Sequence, residues 1–247
     1  MTITIINDCQ DANAAGRQLA RAESLFDAHA SLIGVSNDLE AAGNLIDILD
    51  ALNDRPGVIL VNVAPRNGRA KKWKNGTPFG YFWYERSLVI ASIDGLTLSL
   101  VKKLKLISEV CVLDIPTIAT MIDPSHAHQM INTQFRSFDF LPRVAKYIWD
   151  HRDIAHTQLP ISEIADAPTA IWWVDNFGNC KTTCLVNEPI PSDWEVLPFY
   201  PRLKDVPDHQ TARIIGSSGI GEYRFLELVT QGGRAIEHVQ IKNSRSC

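Results

Sequence analysis

The chain has 247 residues, of which 45% are hydrophobic and 21% charged, and its formal net charge is −4. That length allows one large domain or two of ordinary size with a sizeable core, and the mild acidity gives no support to a nucleic-acid binder. No apolar run approaches the roughly 20 residues that span a bilayer, and the N-terminal MTITIINDC lacks a basic region and a signal-length apolar stretch, so a soluble, cytoplasmic protein is expected.

Thr2 to Asp8 alternates β-branched residues and predicts a first strand that delivers a carboxylate at its C-terminal end. In open α/β sheets ligands sit at that edge. Ala12 to Phe26 then reads as a helix with Ala15, Leu19, Ala22 and Phe26 on one face. Asp8 and Asp11 suit ligand contact or helix N-capping, and each residue can take a different role. Ala30 to Val35 predicts a second strand, and Asp38 to Leu52 a second helix. Val58 to Val63 is nearly continuous apolar sequence, as in a strand buried on both faces of a parallel sheet. The β-α-β-α-β order predicts a doubly wound, Rossmann-like sheet.

Five basic residues fall between Arg66 and Lys74, after the central strand. They suit an anion contact or a solvated loop equally. Pro78 to Trp83 and Ser87 to Ile93 read as two further strands, Leu96 to Leu106 as an apolar helix, and Val110 to Ile115 as another strand. His126 and His128 would face one way on a strand, but no third ligand is close in sequence, so no metal site is expected. Thr133 to Trp149 runs into a helix that Pro142 can open at its first turn.

The stretch 151–169 carries two prolines and no clean period, as a linker does, and from Ala170 onward strand patterns dominate. Strands are expected at 170–175, 181–186, 194–199, 212–216, 224–229 and 236–242, with turn signals between them. Ile171 to Thr183, IWWVDNFGNCKTT, predicts a hairpin with Asp175, Phe177 and Asn179 at its tip. Those groups offer an acceptor, a stacking face and an amide, which suit a purine nucleoside. The same residues also make an ordinary turn. The expected architecture is α/β: a doubly wound domain over 1–155, a linker at 156–167, and an all-β barrel or sandwich over 168–247. The cysteines Cys9, Cys111, Cys180, Cys184 and Cys247 are scattered and odd in number. They read as reduced packing thiols rather than a disulfide framework or a zinc site.

Taken in order, several stretches resemble the S-adenosyl-L-methionine (SAM) hydroxide adenosyltransferases, the family that also holds the SAM-dependent fluorinases and chlorinases. Asn7-Asp8-Cys9-Gln10-Asp11 stands where the family's first strand ends in Thr-Asp-Phe-Gly with a second Asp beyond. Val63-Ala64-Pro65-Arg66-Asn67-Gly68, followed by Lys71, stands where the family has Val-Asp-Pro-Gly-Val-Gly and an Arg. Ser92 to Leu96 corresponds to a Pro-Asn/Asp-Asn-Gly turn, and Gln134 to Pro142 to a Thr-Phe-His-Gly-Arg-Asp signature. Asp175 to Asn179 matches the family's Asp-x-Phe-Gly-Asn intact, and Gly216-Ser217-Ser218-Gly219 and Leu226-Glu227-Leu228 resemble two late segments.

The resemblance implies a SAM or adenosine ligand, with no other cofactor and no metal. It implies a homotrimer whose sites lie between one chain's first domain and a neighbour's second, with Trp172, Trp173 and Trp194 as interface or core aromatics. The implied ligand-binding residues are Asp8, Asp11, Asp94, Asp175, Phe177, Asn179, Ser217 and Ser218. The family's water-activating Asp, Arg and His map to Ala64, Lys71 and Arg136. Ala64 cannot accept a proton, Lys71 lacks the planar fork, and Arg136 stays protonated near neutral pH. A pseudoenzyme that binds the nucleoside with little or no turnover is therefore expected. The alternatives are a genuine SAM hydrolase, or an enzyme repurposed for another nucleoside or an anionic substrate through Arg66, Lys71 and Arg136.

Overall fold

Thr2–Asn7 (β1) is buried along all but its first residue, because it is flanked on both edges by other strands. The structure is a computed structural model that describes residues 1–64 and 78–239. The basic stretch 66–74, Lys71 included, and Cys247 lie outside the described residues. The chain divides into two compact units, Met1–Asp166 and Ala167–Cys247.

In the first unit β1 is followed by α1 (Ala12–Phe26), β2 (Ala30–Gly34), α2 (Asp38–Leu52) and β3 (Gly57–Asn62). After residue 78 come β4 (Phe79–Tyr84), β5 (Ser87–Ser92), α3 (Ser99–Lys103) and β6 (Glu109–Leu113). Four helices follow, α4 (Ile115–Ile122), α5 (Ala127–Asn132), α6 (Arg136–Asp139) and α7 (Leu141–His151), and β7 (Thr157–Pro160) closes the unit. The sheet has seven strands in the order β2-β1-β3-β5-β4-β6-β7. The four strands β2, β1, β3 and β5 run parallel, and β4, β6 and β7 add antiparallel neighbours.

The parallel half is apolar on both faces, as its sequence requires. Ile3, Ile5, Val58, Leu60, Leu88 and Ile90 pack with Ala22 and Phe26 of α1 and with Leu141, Val144 and Ile148 of α7. Successive side chains of a strand alternate in direction, so Ile59, Val61 and Val89 point the other way. That second face takes α2, which packs on β1 and β3 and against α3. Helices thus cover both faces of the parallel strands.

Three expectations for this unit give way to local chemistry. The apolar run 96–106 makes only the five-residue α3, which ends where Lys105 takes a left-handed conformation at φ 53°. Ile115 opens α4 instead of closing β6, because Asp114 accepts the Thr117 amide at 3.1 Å as an N-cap. His126 and His128 lie at the start of α5 and not on a strand, so two residues' separation turns them apart. Among the described residues no group of three His, Cys, Asp or Glu side chains is placed to hold a metal ion. The stretch read as a linker contributes β7, which pairs with β6 from Glu109↔Pro160 to Val112↔Thr157. No described helix is long and apolar enough to cross a membrane.

The second unit carries a five-stranded sheet in the order β10-β11-β12-β9-β8. Its elements are β8 (Ile171–Val174), β9 (Cys180–Leu185), α8 (Ser192–Glu195), β10 (Phe199–Tyr200), β11 (Thr211–Ile220) and β12 (Tyr223–Thr230). Cys180, Cys184, Trp194, Leu226, Leu228 and Ala235 form its main core. The expected strand 194–199 begins instead with the turn of α8, where the Trp194 and Glu195 amides both donate to Pro191 O at 2.9 Å. The expected strand 236–242 is a 3-10 turn at Ala235–Glu237, and residues 240–242 lie outside the described residues.

The β11–β12 pairing slips between Ile215 and Gly219. Gly219 sits at φ 131°, and a Cβ there would lie 2.1 Å from Tyr223 O. Gly219→Ala should therefore lower the stability of this unit by about 1–3 kcal/mol, read as a fall in the urea midpoint; an unchanged midpoint would contradict this account of the bulge.

Candidate functional site

The C-terminal edge of the parallel strands is bound together beyond the last strand residues. Asp8 N donates to Asn62 O at 3.3 Å, and Ala64 N donates to Asp8 Oδ2 at 3.1 Å. Val63 N donates to Ser92 Oγ at 3.3 Å, and that hydroxyl lies 3.4 Å from Thr97 Oγ1. One clasp thus joins β1 to β3 and another joins β3 to β5. The chain leaves β1 through α1 to reach β2 on one side, and leaves β3 toward β5 and β4 on the other. The crevice between β1 and β3 is therefore the topological switch point, where open α/β sheets place ligands.

The loop that carries Asp8 is fixed from beneath. Asn7 is fully buried, and its Nδ2 donates to Gln18 Oε1 at 2.7 Å. Asn7 Oδ1 accepts from Cys9 N at 2.8 Å, while Gln18 Nε2 donates to Cys9 O at 3.0 Å and to Ala14 O at 3.2 Å. Asp11 caps α1, accepting from Asn13 N and Ala14 N at 3.1 Å each. The two aspartates of the first loop thus differ: Asp8 reaches across the sheet edge, and Asp11 serves the helix.

Asp94 follows β5 on the same edge and is half-buried. Beside it Asp38 Oδ2 accepts Leu96 N at 2.8 Å, so the first turn of α2 fixes the loop after β5. Arg136 opens α6, which packs on α1. Burial pulls the Arg136 guanidinium below its ordinary value, although a guanidinium still keeps its proton near neutral pH. Asp8, Ala64 and Asp94 therefore share one sheet edge, whereas Lys71 lies outside the described residues.

In the second unit the Asp175 carboxylate is the anchor of its own turn. Oδ1 accepts from Phe177 N and Asn179 N at 2.9 Å each, and Oδ2 accepts from Asn179 Nδ2 at 3.0 Å. Asp175 N donates to Asn179 O at 3.0 Å, closing the hairpin. Gly178 at φ 86° approaches Arg234 so closely that a Cβ would meet the Arg234 Cβ at 2.7 Å. Arg234 Nη1 and Ile236 N donate to Asn176 O and Gly178 O at 3.3 and 3.1 Å. The tip is rigid, and Phe177 projects from it with 68% of its surface exposed. Behind it, burial and the carboxylates of Asp175 and Glu227 push the Cys180 thiol up to about 11, so it stays protonated. Ser217 is exposed and Ser218 buried on the irregular part of β11.

The residues that sequence reading overlooked are Asn7, Gln18, Asp38, Ser92 and Thr97. Two of them carried a signal. Asn7 continues the alternation of Ile3 and Ile5, and Gln18 shares the helical spacing of Ala22 and Phe26. A polar residue at a core position of each element calls for a partner.

No model of a known protein family matches the chain, and no curated protein matches it. Solved structures do. One is an uncharacterized conserved protein from Thermotoga maritima, with a TM-score of 0.65 and 16% identity over 97% of each chain. Another is a conserved hypothetical protein from Thermus thermophilus, with a TM-score of 0.57 and 16% identity over 98% of this chain and 96% of the other. At that identity the likeness is one of fold.

Replacing Gln18 by Leu would remove the hydrogen bonds that the buried Asn7 amide and the Cys9 carbonyl make to it. Gln18→Leu should cost about 1–3 kcal/mol of stability, measured by urea unfolding of the whole chain.

Proposed function

We propose that this protein binds an adenine nucleoside, SAM or adenosine, and turns SAM over weakly or not at all. On this reading its first unit is the doubly wound nucleoside-binding domain and its second the β domain of a SAM hydroxide adenosyltransferase-like chain. The observation that carries the proposal is the Asp8 carboxylate at the switch point between β1 and β3, held there by Ala64 N at 3.1 Å. A carboxylate offers several acceptor positions, so Asp8 can accept ribose hydroxyls beside the Ala64 amide. In doubly wound sheets, acidic side chains near the strand ends can accept ribose hydroxyls. On the homotrimer reading, the Phe177 ring of a neighbouring chain, displayed on a braced turn, supplies a stacking face.

Weak turnover follows from the residues that stand at the positions the resemblance assigns to water activation. Ala64 contributes an amide to Asp8 and no proton acceptor. Arg136 is a cation and cannot take a proton from water. General acid–base help is typically worth about 10²–10⁴-fold, and groups that act as a unit are non-additive. Replacement of all three positions should therefore cost little more than loss of the most important one.

Calorimetry should show saturable binding of adenosine or SAM that Asp8→Ala abolishes. Incubation with SAM, followed by chromatography, should show adenosine and methionine forming well below the order of 1 per second typical of enzymes. No heat with either ligand would end the binding proposal, and turnover at ordinary rates would end the pseudoenzyme reading. Ala64→Asp alone should not restore hydrolysis, because Arg136 carries no imidazole. Ala64→Asp, Lys71→Arg and Arg136→His together should raise it.

Assembly as a homotrimer belongs to the same proposal. Trp173 is 37% exposed, and it supports the reading as aromatic surface suited to an interface. Light scattering should return about three times the 27.5 kDa chain mass; a monomeric mass would refute it.

A further inference from the structure

α1 carries the exposed Arg17 and the half-buried Arg21 one helical turn apart, beside its buried stripe of Gln18, Ala22 and Phe26. Like charges at this spacing repel, and the positions three and four residues away on either side hold no acid. The two guanidinium groups are held by rings. The Arg17 Cζ lies 5.1 Å from the Phe135 ring centre and 4.5 Å from that of Phe138. The Arg21 Cζ lies 4.4 Å from Phe138. The rings themselves stack at 5.7 Å with 25° between their planes.

Asp139, whose charge reaches Arg21, and Asp123, paired with Arg143, both hydrogen-bond to other groups. Asp139 is buried and accepts from Gln129 Nε2 at 2.8 Å and from Thr133 Oγ1. Asp123 accepts from Arg143 Nη1 at 3.1 Å and from Ser125 Oγ at 2.6 Å, and lies 2.9 Å from His126 Nδ1. Burial first, and then the charges of Arg143 and Arg17, hold the Arg21 guanidinium below its ordinary value, and Asp139 offsets only part of this.

A guanidinium that lies on an aromatic face keeps its in-plane N–H edge open, and the ring restricts its motion. Guanidinium groups whose motion is already restricted lose little freedom when they meet an oxyanion. Three tetrahedral acceptor oxygens match two forks better than the two oxygens of a carboxylate. The geometry points to Arg17 and Arg21, on the Phe135–Phe138 platform, as a binding site for a phosphate group. The phosphate can be free or carried as a monoester, since both present the same oxygens.

Calorimetry of the full chain at low salt, with inorganic phosphate in one arm and glycerol phosphate in the other, tests this. One-to-one saturable binding is expected in at least one arm, and the arm that binds more tightly identifies the source. Arg17→Gln and Arg21→Gln should each weaken it about tenfold. Phe138→Leu, which leaves the net charge unchanged, should weaken it as well, and Arg86→Gln, on the exposed β4–β5 turn, should not. Absence of saturation in both arms overturns the proposal. So does Arg86→Gln matching the other arginine variants, or Phe138→Leu leaving affinity intact, since either means diffuse charge. Should any of these variants lose its fold by circular dichroism, Arg17→Lys and Arg21→Lys keep the charge and remove the fork; wild-type affinity in both would overturn it.

Discussion

The buried amide pair of Asn7 and Gln18 decides where the first loop goes. Asn7 has no exposed surface, and its side chain bonds to Gln18 on one side and to the Cys9 amide on the other. Gln18 returns its own amide to Cys9 O and Ala14 O. Strand β1, the loop and the first turn of α1 are thereby tied by four hydrogen bonds in a region of low dielectric, where paired amides are strong and unpaired ones costly. With that loop fixed, Asp8 leaves β1 in one direction only, toward the end of β3. The clasp to Ala64 N is a consequence of this arrangement.

The same constraint explains which parts of the chain could be read from sequence. The run from β1 to β3 was legible to within a residue or so at each end, because long apolar periods and strong caps agree there. Asp11 and Asn37 each accept two amides of the helix they open. Short elements were not legible. The run from Trp194 to Phe199 looks like a strand, but Pro191 accepts two amides and turns it into α8. The apolar stretch after Leu96 yields only α3, because Asp38 holds its entry and Lys105 ends it. Both outcomes depend on contacts that periodicity does not encode.

The candidate site was legible in part. The Asp175 turn could be read as turn chemistry or as ligand chemistry, and its geometry shows how far the first goes: the carboxylate accepts three hydrogen bonds from its own hairpin. What this leaves for a ligand is mainly the exposed Phe177 ring. Asp8 is the converse case. Its sequence neighbourhood resembles that of Asp11, and only the path of β3 separates the one that crosses the sheet edge from the one that caps a helix. The amide pair beneath them showed only as two polar residues at apolar positions, a signal that names a need and not a partner.

The Ala64 position is where geometry bears most on the proposed chemistry. Its amide reaches the Asp8 carboxylate whatever its side chain is, so an alanine there keeps the clasp. An alanine at 64 adds no carboxylate at the end of β3, and on the proposed reading Asp8 accepts ribose hydroxyls there. Water attack on a sulfonium gains mostly from positioning and desolvation. On the proposed reading, such a site would hold the nucleoside without activating water, because the Asp8 carboxylate and the Ala64 amide bind at the strand ends and neither position takes a proton from water.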